Sequence, residues 1–324
     1  MKRIALITLA AATVLSFAAT TTSGAASDPG QALEIAPPML SLSGNPGDTI
    51  KANVNIRDVS VSPLVVTSQV NDFGAEGENG IPKISLDTTN PNPYSLISWV
   101  KPLGQLTLQS KQIDILPVSI VIPKDAAPGG YYGVIRFTAA APQSNTTSVT
   151  LSASLGTLIF LRVNGQAKES ASLEEFSTSQ NGNKMFLFEA APVNFNIRVN
   201  NSGNVYEQPT GQIAVSDMFG NLIANVNVNL ERRVILPGSI RKFDASLDKS
   251  VIGDRMLFGR YTAKLTMTYG ADGQKVTTEL SFFVIPWKLI LIGLSVIIGG
   301  FFLVRFALRR YTERVLARSP RRRR

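Results

Sequence analysis

Short runs of alternating apolar and polar residues occupy most of the chain between residues 27 and 285. This period of two, interrupted by Gly, Pro and Asn, predicts β-strands in antiparallel sheets. The first half contains seven such runs, a number typical of a Greek-key sandwich. We predict its strands at 38–42, 50–56, 64–72, 95–100, 113–122, 132–139 and 149–163. Pro117 interrupts one alternating run and indicates a sheet edge or a bulge there.

The second half repeats the pattern after a polar stretch at 164–172, which we interpret as a linker. Its strands are predicted at 193–199, 212–216, 222–228, 239–247, 261–269 and 275–285. Gly130-Tyr131-Tyr132 and Gly259-Arg260-Tyr261 mark corresponding strand entries in the two halves. The expected fold class is all-β, with two tandem immunoglobulin-like β-sandwiches at 27–163 and 173–285.

Both ends of the chain are hydrophobic and flanked by basic residues. Residues 1–26 have a charged start at Lys2-Arg3, an apolar core and small residues at their end, which is typical of an N-terminal signal peptide. Residues 289–304 form an uninterrupted run of sixteen uncharged residues. We therefore predict one C-terminal transmembrane helix at 286–308.

The positive charge indicates membrane orientation and not nucleic-acid binding. Residues 305–324 hold nine arginines and one acid, a net charge of +8, and the first 26 residues add +2. Subtracting both from the formal charge of +9 leaves −1 for the residues between them. A basic tail at 309–324 predicts a cytoplasmic C-terminus, with the ectodomain extracellular. A nucleic-acid partner is not expected.

The chain has no cysteine and no histidine. This composition excludes disulfides, Ser-His triads, cysteine nucleophiles and Cys/His zinc sites. We predict no enzyme activity, no catalytic residues and no cofactor. A glycosidase that uses a pair of carboxylates remains a less favoured alternative, because the sequence does not single out a pair.

Two groups of residues are candidates for binding. Tyr94, Trp99 and Tyr131 lie among Asn and Gly residues, and aromatic faces beside amides suit sugar rings. Packing in the core is the competing interpretation for Trp99, which falls in a predicted strand. The predicted loop with Asp72, Glu76 and Glu78 clusters three acids, whose carboxylates could supply part of the roughly six to eight oxygens that a calcium site needs. We expect a solvated loop there and no metal.

Several motifs resemble those of WxL-interacting proteins. In the first half they are Trp99-Val100, the run 120–135 with the pattern Ile-Pro-x-x-Ala-x-Pro-Gly-Gly-x-Tyr, and Leu161-Arg162-Val163. In the second half they are residues 201–205, 209–213 and 217–220. The resemblance implies a peptidoglycan-binding immunoglobulin-like domain, a second β-sandwich and a C-terminal membrane helix.

These patterns together predict a non-enzymatic scaffold or adhesin component, anchored by a single span in a bacterial cell membrane. Its expected partners are cell-wall glycan, a surface protein, or both. One alternative is a transmembrane sensor or assembly factor that acts through a cytoplasmic partner. The tail is short and mostly arginine, so any such signal would need that partner.

Overall fold

The computed structural model describes residues 33–60, 63–87, 89, 91–139 and 154–317. The predicted signal peptide, the start of the predicted strand 149–163 and the end of the predicted basic tail lie outside the described residues.

The first sandwich is built from nine strands in two sheets. One sheet has the order β1-β3-β7, and the other has the order β2-β9-β8-β4-β5, with β6 paired to β4. Most pairs are antiparallel, but β2 runs parallel to β9. The strands are β1 (Leu33–Ala36), β2 (Met39–Gly44), β3 (Thr49–Asp58), β4 (Leu64–Glu76), β5 (Ile81–Ser85), β6 (Gln105–Leu108), β7 (Ile113–Val121), β8 (Gly129–Ala139) and β9 (Ser154–Val163).

The second sandwich is likewise formed by two sheets, with the orders β11-β10-β13-β16 and β12-β18-β17-β14-β15. A short helix, α1 (Lys249–Ile252), follows β16. The strands are β10 (Ala171–Gln180), β11 (Asn183–Lys184), β12 (Leu187–Phe188), β13 (Val193–Asn201), β14 (Thr210–Ser216), β15 (Leu222–Val228), β16 (Ile240–Leu247), β17 (Gly259–Tyr269) and β18 (Gln274–Val284). The all-β prediction of two tandem sandwiches is confirmed.

Each sandwich encloses its own apolar core. The first core contains side chains such as Val54, Ile120 and Phe137, and the second contains Phe195, Leu265 and Phe282, all essentially inaccessible to solvent. Burying such side chains is the main source of stability that a protein without disulfides has available. A third apolar cluster joins the two sandwiches and is described below.

Several local predictions differ from the structure. Residues 95–100 form turns and isolated bridges and not a strand, with Trp99 N–H and Val100 N–H both donating to the carbonyl of Leu96 at 2.9 and 3.2 Å. Asp72 and Glu76 belong to β4 and not to a loop, because β4 continues into a hairpin with β5. Strand β10 begins at Ala171, inside the stretch interpreted as linker.

The C-terminal helix α2 spans Trp287–Ala317 and begins two residues after β18 ends. Its segment Trp287–Thr312 has 26 residues and is long and apolar enough to cross a membrane. At about 1.5 Å per residue it measures about 39 Å, against a hydrocarbon thickness of about 30 Å. The three apolar clusters of the described residues contain no side chain from α2, so the sandwiches do not depend on it for their packing.

Candidate functional site: the contact between the two sandwiches

An apolar cluster lies where the two sandwiches meet. The first sandwich contributes Phe73, Tyr132, Val134 and Phe160, all buried, from β4, β8 and β9. Tyr206 of the second sandwich packs edge-on against Phe160, with ring centroids 5.3 Å apart. Its hydroxyl also lies 3.0 Å from the Ser41 hydroxyl, and Val234 and Leu236 complete the cluster from the same side. The two sandwiches therefore share a packed interface and not only a linker.

The turn between β4 and β5 docks onto the second sandwich. Arg198 on β13 donates from Nε to the Glu78 carboxylate at 2.7 Å, and a second guanidinium nitrogen forms an ion pair with the other carboxylate oxygen. The Glu78 carbonyl accepts from the Lys242 N–H at 2.8 Å on β16. This bidentate ion pair lowers the pKa of Glu78 and raises the pKa of Arg198.

A second polar contact lies at Asn204. The backbone carbonyl of Asn204 accepts from the Gly130 N–H at 2.8 Å, and its side-chain amide nitrogen donates to the Pro128 carbonyl at 3.0 Å. Both are backbone groups at the start of β8, in the Pro-Gly-Gly turn that the sequence motif singled out. Gly130 leaves room for the Tyr132 hydroxyl, because any side chain at position 130 would collide with that hydroxyl.

A polar cleft of about 320 Å³ lies beside this contact and is lined by both sandwiches. On one wall, Arg162 and Glu169 form an ion pair at 2.8 Å. Glu207 is 2% exposed, and one of its carboxylate oxygens accepts from the Gly270 N–H at 3.0 Å. Burial raises the pKa of Glu207 to about 7, and the nearby Glu169 carboxylate adds to the effect.

The structure separates the three predicted ligand-binding aromatics. Trp99 and Tyr131 pack on each other with their rings tilted by 39° and their centroids 4.2 Å apart, both half-buried against the core of the first sandwich. The Tyr131 hydroxyl donates to the Ala127 carbonyl at 3.2 Å, and burial raises its pKa. Tyr94 instead packs against the cluster between the sandwiches, 6.4 Å from Tyr132. Only Trp99 and Tyr131 form one surface.

Two of the three acids of the calcium hypothesis have separate structural roles. Asp72 is buried and accepts from the Asn92 N–H at 3.0 Å and the Ser95 hydroxyl at 2.6 Å, which holds the segment that carries Tyr94. Glu78 is paired with Arg198. Throughout the part of the chain that the structure describes, no group of three or more acids, His or Cys could hold a metal.

Strand β7 offers an exposed apolar stripe at the edge of its sheet. Its inward residues Leu116, Val118 and Ile120 are buried, whereas Ile113 and Ile115 are 59% and 63% exposed. Near its C-terminal end, Ser119 and Val121 exchange hydrogen bonds with residues 99–101. Among the described residues, no strand pairs with the outer side of its N-terminal half. The edge position inferred from Pro117 is confirmed.

Sequence reasoning missed the contact between the sandwiches. The signal that could have found it is in β8 and β9, where apolar residues follow one another without alternation, as in Leu158-Ile159-Phe160-Leu161. Such runs are typical of strands that are buried on both faces. No comparable pattern marks Glu78 or Arg198, which a sequence shows only as surface charges.

No protein-family model matches the chain, and no curated protein matches it. Among solved structures, the class 5 fimbriae chaperone CfaA is 15% identical, over 79% of this chain and 100% of that chain, with a TM-score of 0.39. The E. coli chaperone DraB is 17% identical, over 77% of this chain and 98% of that chain, with a TM-score of 0.35. Structural similarity at these TM-scores supports no inference about function. Membership of the WxL-interacting family stays a prediction.

Proposed function

We propose that this chain is a non-enzymatic, membrane-anchored protein of a bacterial envelope. It holds a two-sandwich unit outside the membrane and binds a surface protein through its first sandwich. Support for the anchor comes from α2, which is exposed, apolar and joined to β18 by only two residues. The basic residues after the apolar run favour a cytoplasmic C-terminus and an extracellular ectodomain.

The observation that carries the binding proposal is the edge of β7. An edge strand presents unpaired N–H and C=O groups that an extended peptide can satisfy by adding a strand. Charged side chains usually keep the edge strands of natural proteins from pairing with other chains. Here the outward side chains Ile113 and Ile115 are apolar instead. The unpaired backbone of β7 can form hydrogen bonds with a partner strand, and its alternate apolar side chains can contact the side chains of that partner.

Binding of the purified ectodomain, residues 27–285, to cell-surface proteins tests this proposal. The ectodomain is suitable because its apolar clusters include no residue of α2. We expect Ile115→Lys to abolish capture of a partner that the wild type retains, because a lysine at an edge disfavours strand addition. Leu230→Lys is the matched control, since Leu230 is 75% exposed on the second sandwich. Equal capture by wild type and Ile115→Lys would refute the role of β7.

Peptidoglycan is a second candidate ligand, favoured by the Trp99–Tyr131 pair. Two aromatic rings that remain partly exposed at one surface are suited to packing against a sugar ring. The same surface lies next to residues 99–101, which pair with β7, so a glycan and a protein partner would approach the same sandwich.

A further inference from the structure

Exposed large apolar side chains in the second sandwich are concentrated at one end. Ten such residues lie between β10 and the end of β18. Nine of them, all except Leu230, are in β18 or in the segments around residues 185–187, 218–222 and 256–258. The nine are Met185, Phe186, Leu187, Met218, Phe219, Leu222, Met256, Phe258 and Phe283. A soluble surface seldom gathers this many in one place.

This end is the one from which α2 leaves. Strand β18 finishes there at Val284, and its partner Gly259 opens β17 at the same level. The β14–β15 turn lies at this end because Ser216 pairs with Thr262. Met218 packs so closely over Gly259 that any side chain at 259 would collide with its terminal methyl. On the other side of β18, Leu187 pairs with Phe283.

The most exposed of these side chains is held on a fixed turn. Phe219 is 80% exposed at the tip of the β14–β15 connection. The Asp217 carboxylate accepts from the N–H groups of Phe219 and Asn221, both at 2.9 Å, and from the Asn221 side chain at 3.0 Å. These bonds lower the pKa of Asp217 and keep the turn closed. The aromatic ring is therefore presented outward by a preformed loop.

We infer that this end of the second sandwich inserts its apolar loops into the outer leaflet of the membrane that α2 spans. The inference rests on the proposed membrane anchor, since α2 fixes where the bilayer begins. Trp287, at the start of α2, is 52% exposed and lies at the level where aromatic residues favour the lipid interface. Phe219, Met256 and Phe186 lie in loops at this same end of the sandwich.

Lipid suits this surface better than a protein partner because the bilayer is already in place. A helix that starts two residues after β18 brings the loops to the headgroup region without any further association step. Apolar side chains of an interfacial element enter the headgroup and acyl boundary by about 5–10 Å. Lys249, Arg255 and Arg260 are exposed at this end and are available to lipid phosphates. The Lys288 ammonium pairs with Glu189 at 2.7 Å, which ties the helix start to the sandwich.

Single-cysteine labelling tests the inference directly, because the natural chain contains no cysteine. The full chain would carry an environment-sensitive fluorophore at Phe219→Cys or Met256→Cys and be reconstituted in phosphatidylcholine–phosphatidylglycerol vesicles. We expect iodide in the water to quench these positions several-fold less than Leu230→Cys, and nitroxide-bearing lipids to quench only the first two. Leu230 is the matched control, as exposed as Met256 but at the opposite end of the sandwich.

A fourth label at Ser295→Cys, within α2, separates this inference from the membrane anchor. If positions 219 and 256 are as accessible to iodide as 230 while 295 is protected, the anchor stands and loop insertion is wrong. If 295 is accessible too, the anchor fails and the inference fails with it. If 219 and 256 are protected from iodide but not quenched by nitroxide lipids, a protein covers this surface and the lipid assignment is overturned.

Discussion

Tyr131 and Tyr132 show what alternation along one strand can and cannot predict. Neighbours on a strand point to opposite faces, so the sequence predicts that one of them faces the core. In the structure Tyr131 packs with Trp99 against the core of the first sandwich, and Tyr132 is buried against the second sandwich. Tyr132 is covered by the second sandwich, whereas Tyr131 stays partly exposed, and a sequence does not reveal this because it does not show the neighbouring domain.

We predict that Tyr131→Ala weakens sedimentation of the ectodomain with cell-wall sacculi if the Trp99–Tyr131 pair binds glycan. Tyr131→Phe keeps the ring and loses only the hydrogen bond to Ala127, so it should sediment like the wild type. Because the region between the charged ends has a net charge of only −1, raising the salt concentration should change little. Sedimentation of Tyr131→Ala equal to the wild type would leave the β7 edge as the sole binding candidate.

The stability of the ectodomain should fall as the pH rises from about 5 to about 8. Glu207 has a folded pKa of about 7, raised from an ordinary 4.5, so the folded state binds more protons in this window. The neutral Glu207 carboxyl contributes its whole stabilising effect at pH values below the pKa that Glu207 has in the unfolded chain. This contribution is lost as the pH rises through the pKa that Glu207 has in the folded protein. The loss amounts to about 3 kcal/mol, at about 1.4 kcal/mol per pKa unit.

Denaturant unfolding at several pH values measures this effect, and Glu207→Gln is the comparison variant. Glutamine keeps an acceptor for the Gly270 N–H but cannot ionise, so its stability should be nearly flat over the same window. The chain has no histidine, and therefore no side chain whose ordinary pKa falls in this window complicates the measurement. A wild type as flat as Glu207→Gln would show that the Glu207 carboxyl titrates normally.

At the scale of elements, alternation predicted most of the long strands, but it missed the ten-residue strand β10 and failed for short segments. Strands β3, β13 and β17 have regular alternation over nine or more residues, so the period is unambiguous. Residues 95–100 were predicted to be a strand from Ile97-Ser98-Trp99-Val100, but Leu96 and Val100 are the buried positions. Their spacing of four is that of a helical turn, and six residues are too few to distinguish the two periods.

The β4–β5 turn should contribute measurably to the contact between the sandwiches. A double-mutant cycle on Glu78→Ala and Arg198→Ala should give a favourable coupling energy that is clearly larger than that of a more exposed ion pair. Arg198 lowers the pKa of Glu78 in the folded protein. The ion pair therefore stabilises the fold at pH values above the pKa of Glu78 in the unfolded chain, and this stabilisation is lost as the pH falls through its pKa in the folded protein. Its pH dependence is therefore opposite in sign to that of Glu207.

Chemical unfolding of the four proteins in the cycle at neutral pH provides the measurement. Arg57 and Glu34, which form an ion pair at 3.6 Å within the first sandwich, are a suitable control pair because both are more exposed. Their coupling energy should be close to zero. A coupling between Glu78 and Arg198 as small as that of the control would mean that the turn touches the second sandwich without stabilising it.

For the whole molecule, the sequence predicted two sandwiches and a membrane helix but not how the sandwiches are joined. Composition and alternation describe each sandwich separately, because its core residues repeat locally along its own strands. The interface depends on pairs such as Phe160 and Tyr206, which lie far apart in sequence and bear no shared pattern. Only the assembled fold shows that burial on the second face of β8 and β9 is provided by the other sandwich.

The packed interface predicts that the two sandwiches unfold together. The shared cluster buries Tyr132 and Phe160 of the first sandwich beneath Tyr206, Val234 and Leu236. Unfolding one sandwich alone would expose this apolar surface, which costs about 25 cal/mol per Å². Calorimetry of the wild-type ectodomain should therefore show a single transition, with a calorimetric enthalpy equal to the van't Hoff enthalpy.

Removing the aromatic ring that bridges the two sandwiches should divide that transition. Tyr206→Ala deletes the contact with Phe160 and the hydroxyl contact with Ser41, but it leaves both separate cores intact. We expect two resolved calorimetric transitions, or one whose van't Hoff enthalpy falls below the calorimetric value. Leu230→Ala, on an exposed side chain of the second sandwich, should retain the single wild-type transition. If Tyr206→Ala also unfolds in one transition with matching enthalpies, the polar contacts at Asn204 and Glu78 are sufficient to couple the sandwiches, and the aromatic cluster is not the principal link between them.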